Sequence, residues 1–165
     1  VSPDTTNTEA DSPKYPRAGL LRRMAALLYD AFLVAAIWMS LGFVLQMIFG
    51  TDTSQLEDGR VVVEPLYRVL VFAMMVSTAA TFYIWFWRRT GQTLGMIAWR
   101  IKVLSHDNTH ISFKPGLIRF FAAWPAFWIG GLGYLWMYID KDGDALHEKL
   151  SRSKTVLLPK GSRPF

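Results

Sequence analysis

The chain has no cysteine and only three histidines among its 165 residues. Without thiols, disulfides and thiolate metal sites are excluded, and nothing indicates a redox compartment. Charge is also sparse. Asp, Glu, Lys and Arg make up 19% of the chain, against about 25% in a soluble domain. The charges cluster between long charge-poor runs, the pattern of a membrane protein. No nucleophile elbow, phosphate loop or zinc-protease motif occurs, so catalysis and a cofactor are not expected. The opening stretch VSPDTTNTEADSPKYPRAG lacks the apolar core of a signal peptide. Its polar, proline-containing composition suits a disordered tail over residues 1–17.

What the chain does have is apolar surface: 52% of residues are hydrophobic and 15% aromatic. These residues gather in three segments, about 24–49, 69–87 and 118–139, within a domain spanning 18–158 and followed by a tail at 159–165. A helix needs about 20 apolar residues to cross a ~30 Å hydrocarbon core. The first segment exceeds that and the other two just reach it. Tryptophan, tyrosine and arginine close the second, YIWFWRR, at the level of the headgroups.

The positive-inside rule orients the spans. The flank through Arg23 carries four Lys and Arg, and the 88–119 region carries six. The first loop, GTDTSQLEDGRVVVEP, carries one against four acids. The N-terminus and second loop are therefore expected in the cytoplasm. The third segment leaves two readings open, a third crossing or a re-entrant hairpin turned by Gly130, Gly131 and Gly133. WRIKVLS (99–105) and SKTVLLP (153–159) read as short strands that can pair only on one side of the membrane. The fold class expected is an all-α membrane protein with two clear transmembrane spans, this third segment, and two short cytoplasmic strands. The net charge of +5 flanks the spans and carries no nucleic-acid reading motif, so nucleic acid is not expected as a partner.

Asp30 is the conspicuous residue of the first segment. A carboxylate inside a span costs about 2.5–3.5 kcal/mol at the centre even on a lenient scale. It needs a partner, and Arg22, Arg23 and Arg119 enter from the same side. Two readings follow: a polar site for an ion or small solute, or an ion pair clamping two helices. Downstream, RRTGQTLGMIAWRIKV places Gly91 and Gly95 four apart, with Gln92 and Thr93 between them as capping or polar residues. Asp140, Asp142 and Asp144 resemble a calcium loop, but Gly143 is misplaced and Ser151 stands where the twelfth-position acid belongs. No metal is expected.

The combination GLLRRMAALLYD, GQTLGMIAWRIKV and ALHEKLSRSKTV resembles the RDD family of bacterial membrane proteins over about residues 17–158. On that resemblance Arg22 or Arg23 and Asp30 match the first two family positions, and Gly91, Gln92, Thr93 and Gly95 match its second motif. His147 and Glu148 fall in the closing motif, with Glu148 where the family has aspartate. The resemblance implies a multi-pass protein of the bacterial inner membrane. The function expected is transport or binding of an ion or small solute through an intramembrane Asp/Arg site. The alternative is a non-transport scaffold or accessory subunit in which Asp30 is an interhelical clamp. Expected partners are the lipid bilayer and a second copy or another membrane protein.

Overall fold

A computed structural model describes residues 15–49, 54–57, 60–129 and 131–161. Two long helices dominate it: α1 (Leu20–Phe49) and α2 (Pro65–Arg89). Both are long and apolar enough to cross a membrane. Neither is the buried core helix of a soluble domain, because Phe32, Met39, Phe43, Leu66 and Phe72 are all exposed. Large exposed apolar surface of this kind belongs against lipid or another helix. A hairpin of β1 (Ser54–Glu57) and β2 (Arg60–Val63) joins them.

Pro65 opens α2, where its missing N–H costs nothing. Gly91 ends the helix in the left-handed region at φ +75°. Its N–H and that of Thr90 both bond the Phe86 carbonyl. The reversal leads into the short α3 (Leu94–Ala98) and then β3 (Ile101–Ser105).

The third apolar segment is broken. Its main piece, α4 (Phe113–Trp128), is 16 residues long, about 24 Å at 1.5 Å per residue. The chain turns at Gly131 (φ +75°) into α5 (Leu132–Leu135). Gly133 lies against Ala126, where an added Cβ would stand 2.3 Å from the alanine Cβ. Among the described residues no third helix of membrane length occurs. After α6 (Leu146–Leu150), β4 (Ser153–Leu157) pairs antiparallel with β3, Ile101 opposite Leu157 and Ser105 opposite Ser153. The two short strands read from sequence thus form one ladder.

The N-terminal segment joins the same ladder: Ala18 N–H bonds the Thr155 carbonyl at 3.0 Å, and Leu157 N–H bonds Pro16 at 2.8 Å. Residues 1–14 of the expected tail lie outside the described residues, as do 162–165 at the other end. The core sits where α1, α2 and α4 meet this ladder, around Val34, Ala79, Trp87, Val103 and Phe120.

Candidate functional site

Asp30 is 1% exposed, three turns into α1. Its carboxylate meets no arginine among the described residues. One oxygen accepts from the Thr93 hydroxyl and the other from the Gly95 backbone N–H, at 2.5 and 2.9 Å. Thr93 is the N-cap of α3, and its hydroxyl also accepts from Met96 N–H. Asp30 is therefore a cap supplied in trans, satisfying donors at a helix start that would otherwise be orphaned. The close approach depends on Gly95, where a Cβ would stand 2.3 Å from the Ala26 carbonyl oxygen. Gly91 and Gln92 hold α3 from the other side. Gly91 carbonyl accepts from Val103 N–H at 2.7 Å, and the Gln92 amide donates to Ile101 carbonyl at 2.9 Å.

The arginines belong to a second cluster, centred on Glu148 of α6. Arg23 donates to Oε2 at 2.5 Å and Arg119 to Oε1 at 3.2 Å. Thr155 donates to Oε1, and Ala145 N–H to Oε2 at 2.9 Å. Arg119 also bonds Ser153 Oγ at 2.7 Å and Thr155 Oγ1 at 2.8 Å, and lies 5.3 Å from the Trp87 ring centroid. Arg23 Nε donates to the Ala18 carbonyl. One carboxylate thus ties α1, α4, α6 and β4 together. Burial pushes the Glu148 carboxyl up, but the Arg119 and Arg23 charges outweigh it and hold it down at about 2. His147 is buried beside the cluster with its ring 4.7 Å from Tyr134. Burial, reinforced by Arg119, lowers it to about 3, so it is neutral at physiological pH.

Further charges form a third group. Arg17 pairs with the buried Asp144 at 3.0 Å, and Lys149 pairs with Asp140. The Asp140, Asp142 and Asp144 oxygens lie within 4.8 Å of one another, but a lysine and an arginine already serve the trio. Arg22 is half-buried and enters no ion pair among the described residues. Arg88 and Arg89 lie over Phe113 and Trp85, both at 5.8 Å.

This geometry corrects the expected function. An intramembrane Asp/Arg site for an ion or solute would bring Asp30 to Arg22, Arg23 or Arg119. Instead Asp30 is satisfied by a hydroxyl and an amide, while Arg23 and Arg119 are neutralised by Glu148. Glu148 and the acidic trio lie outside both membrane-length helices. The physical reason is that a desolvated carboxylate is stabilised as well by hydrogen bonds as by an opposite charge. The charges here make interhelical connections, which favours the structural alternative.

Sequence reasoning passed over Ser153 and Thr155. Their signal was the period-2 spacing on a β-prone segment, which puts both hydroxyls on one face of β4.

The RDD family model matches residues 17–152. The chain belongs to the RDD family. Neither a curated protein nor a solved structure matches it. The matched region runs from Arg17 past Glu148, so it takes in both clamps of this RDD chain, the one at Asp30 and the one at Glu148.

Proposed function

We propose that this RDD-family chain is a membrane scaffold or accessory subunit, with neither transport nor catalytic activity of its own. One observation carries the reading: the buried carboxylates Asp30 and Glu148 are both saturated by donors from neighbouring elements of the same chain. A transport site needs polar groups that exchange partners, and these two hold fixed ones. What the fold offers outward is the apolar face of α1, including Phe32, Met39, Phe43 and Met47. The small residues Ala35, Ala36 and Ser40 are also on the outside of α1. Small residues let a second helix approach closely in lipid. The partner is a second copy or another inner-membrane protein.

The same reading places the N-terminal segment, the α3–β3 region and the C-terminal strand together in the cytoplasm, with the third segment a re-entrant hairpin. Two facts support it. Elements bonded as residues 16–18, β3 and β4 are cannot lie on opposite faces of a bilayer, and the stretches that contain them, through Arg23, 88–119 and 140–165, carry four, six and six Lys and Arg.

The test is Asp30→Asn in proteoliposomes. The amide keeps the shape but turns one acceptor into a donor that faces a donor. A buried hydrogen bond to a charged group is worth about 1.5–3 kcal/mol. Thermal stability should drop by that order, with ion flux at the level of protein-free vesicles for both wild type and variant. Wild-type flux above background that Asp30→Asn abolishes, at unchanged stability, would overturn the proposal.

A further inference from the structure

A cavity of about 460 Å³ lies between α1, α2 and α4. Its wall on α1 is formed by Leu27, Ala31, Val34 and Trp38, spaced three or four apart and so on one face of the helix. Its wall on α2 is Ala79, Tyr83 and Trp87, at the same spacing. From Arg23 at one end to Trp38 at the other, the slot runs 15 residues of α1, about 22 Å. That is somewhat more than one leaflet of a ~30 Å core.

The slot has a direction. The deep part is apolar, and Trp38 at that end already donates to the Met75 carbonyl and Thr78. Arg23, Arg119 and His147 gather at one end, and Asp30, its oxygens bonded to Thr93 and Gly95, lies two turns further in. Two of the lining residues there have a buried polar atom with no hydrogen-bond partner among the described residues: Trp87 Nε1 and His147 Nδ1. Trp87 is 5% exposed and His147 4%. An indole N–H is a donor only, so what satisfies it must bring an acceptor.

Size decides what fits. The bond from Trp38 to the Met75 carbonyl at 3.1 Å joins α1 directly to α2 at one end of the slot, which leaves no room between them for a helix about 10 Å across. A single hydrocarbon chain is thin enough. The surrounding solvent is the bilayer, so the chain present at the highest concentration is the acyl chain of a phospholipid, and mass action favours it.

We propose that the slot holds one acyl chain of a bilayer phospholipid, with an ester or phosphate oxygen of that lipid accepting a hydrogen bond from Trp87 Nε1 and lying beside His147. The lipid would then be a structural ligand filling the gap between the two spans and α4. Asp30 also lines the slot, but its oxygens are already bonded to Thr93 and Gly95, so it does not compete for the Trp87 donor.

The experiment uses the full chain in phosphatidylethanolamine–phosphatidylglycerol vesicles containing phosphatidylglycerol with a photoactivatable diazirine in one acyl chain. After irradiation the adducts are mapped by mass spectrometry. Adducts on the inward residues Val34, Ala79 and Ala123 are expected, and Ala123→Phe, which fills the slot, should reduce them about tenfold. Adducts confined to the outward Phe32, Met39 and Phe121 would mean ordinary surrounding lipid and overturn the proposal. So would displacement of the probe by free fatty acid but not by unlabelled phospholipid. The position of the adducts in the wild-type chain decides the matter even where Ala123→Phe fails to fold.

Discussion

Gly95 and Asp30 approach so closely that a Cβ on the glycine would lie 2.9 Å from a carboxylate oxygen. The same Cβ would lie 2.3 Å from the Ala26 carbonyl oxygen. The backbone of α3 therefore rests directly on α1, and the Gly95 N–H reaches the aspartate because no side chain intervenes. Both partners of this contact are rigid: one is helix backbone, the other a short, doubly bonded carboxylate.

Gly95→Ala is accordingly expected to destabilise the chain by about 1–3 kcal/mol, the usual cost of overpacking, and to lengthen the bond to Asp30. Gly42→Ala is the control, since nothing lies within 4 Å of a Cβ there. Helix propensity alone should leave that variant neutral or stabler by roughly 0.5–1 kcal/mol. Thermal unfolding in detergent measures both. Equal melting temperatures for the two variants would remove the close approach as the reason for glycine at position 95.

Sequence made part of this arrangement legible. The spans of α1 and α2 follow from charge-free runs of sufficient length, and the β3–β4 pairing from two short β-prone runs. The partner of Asp30 was not legible. Charge complementarity points to arginine, whereas the actual donors, 63 and 65 residues away, depend on a backbone approach that a four-residue glycine spacing only hints at. Glu148 likewise could be placed in a motif but not assigned two arginines from α1 and α4. The β1–β2 hairpin had a readable signal, Asp58-Gly59 before a run of valines, that was passed over in favour of the loop's charge.

Glu148 is the joint of four elements, and its variants separate charge from reach. Glu148→Gln leaves Arg23 and Arg119 buried with no counter-charge, which costs about 3–5 kcal/mol. Glu148→Asp keeps the charge but is one methylene shorter, so it holds one arginine at full distance and the other poorly. An intermediate loss is expected. Expression level and melting temperature should rank wild type above aspartate above glutamine. A glutamine variant as stable as wild type would show that the arginines need no carboxylate.

Acid should loosen the same region, through two groups whose signs agree. His147 titrates near 6.5 when unfolded and near 3 when folded. The unfolded chain thus binds the extra proton first, and stability falls as pH drops below about 6.5. Glu148 falls from 4.5 to about 2. Its contribution is complete above 4.5 and is lost as pH falls toward 2. Near pH 5 the histidine dominates, at about 2 kcal/mol for one and a half units. Melting temperature followed from about pH 7 to about pH 5 should therefore decline in wild type. It should decline less in His147→Gln, which has no proton to take up. Parallel slopes for the two proteins would rule out His147 as the cause.

The last prediction concerns the side of the membrane on which β4 lies. Its pairing with β3, and the bond from Ala18 N–H to Thr155, require the three segments to share one face. The chain has no cysteine, so a single introduced thiol reports without background. Lys160, just beyond β4, is exposed, and Lys160→Cys should resist a membrane-impermeant maleimide in intact cells and react once they are opened. Glu64→Cys, exposed at the start of α2 beside the acidic first loop, should react in intact cells. If both thiols label from outside, the third apolar segment crosses the bilayer. The β3–β4 ladder would then be split between two compartments, and with it the Glu148 clamp to Arg23 and Arg119. Protection at 160 with labelling at 64 puts both clamps on the cytoplasmic side, where the excess of Lys and Arg in the flanking segments holds them.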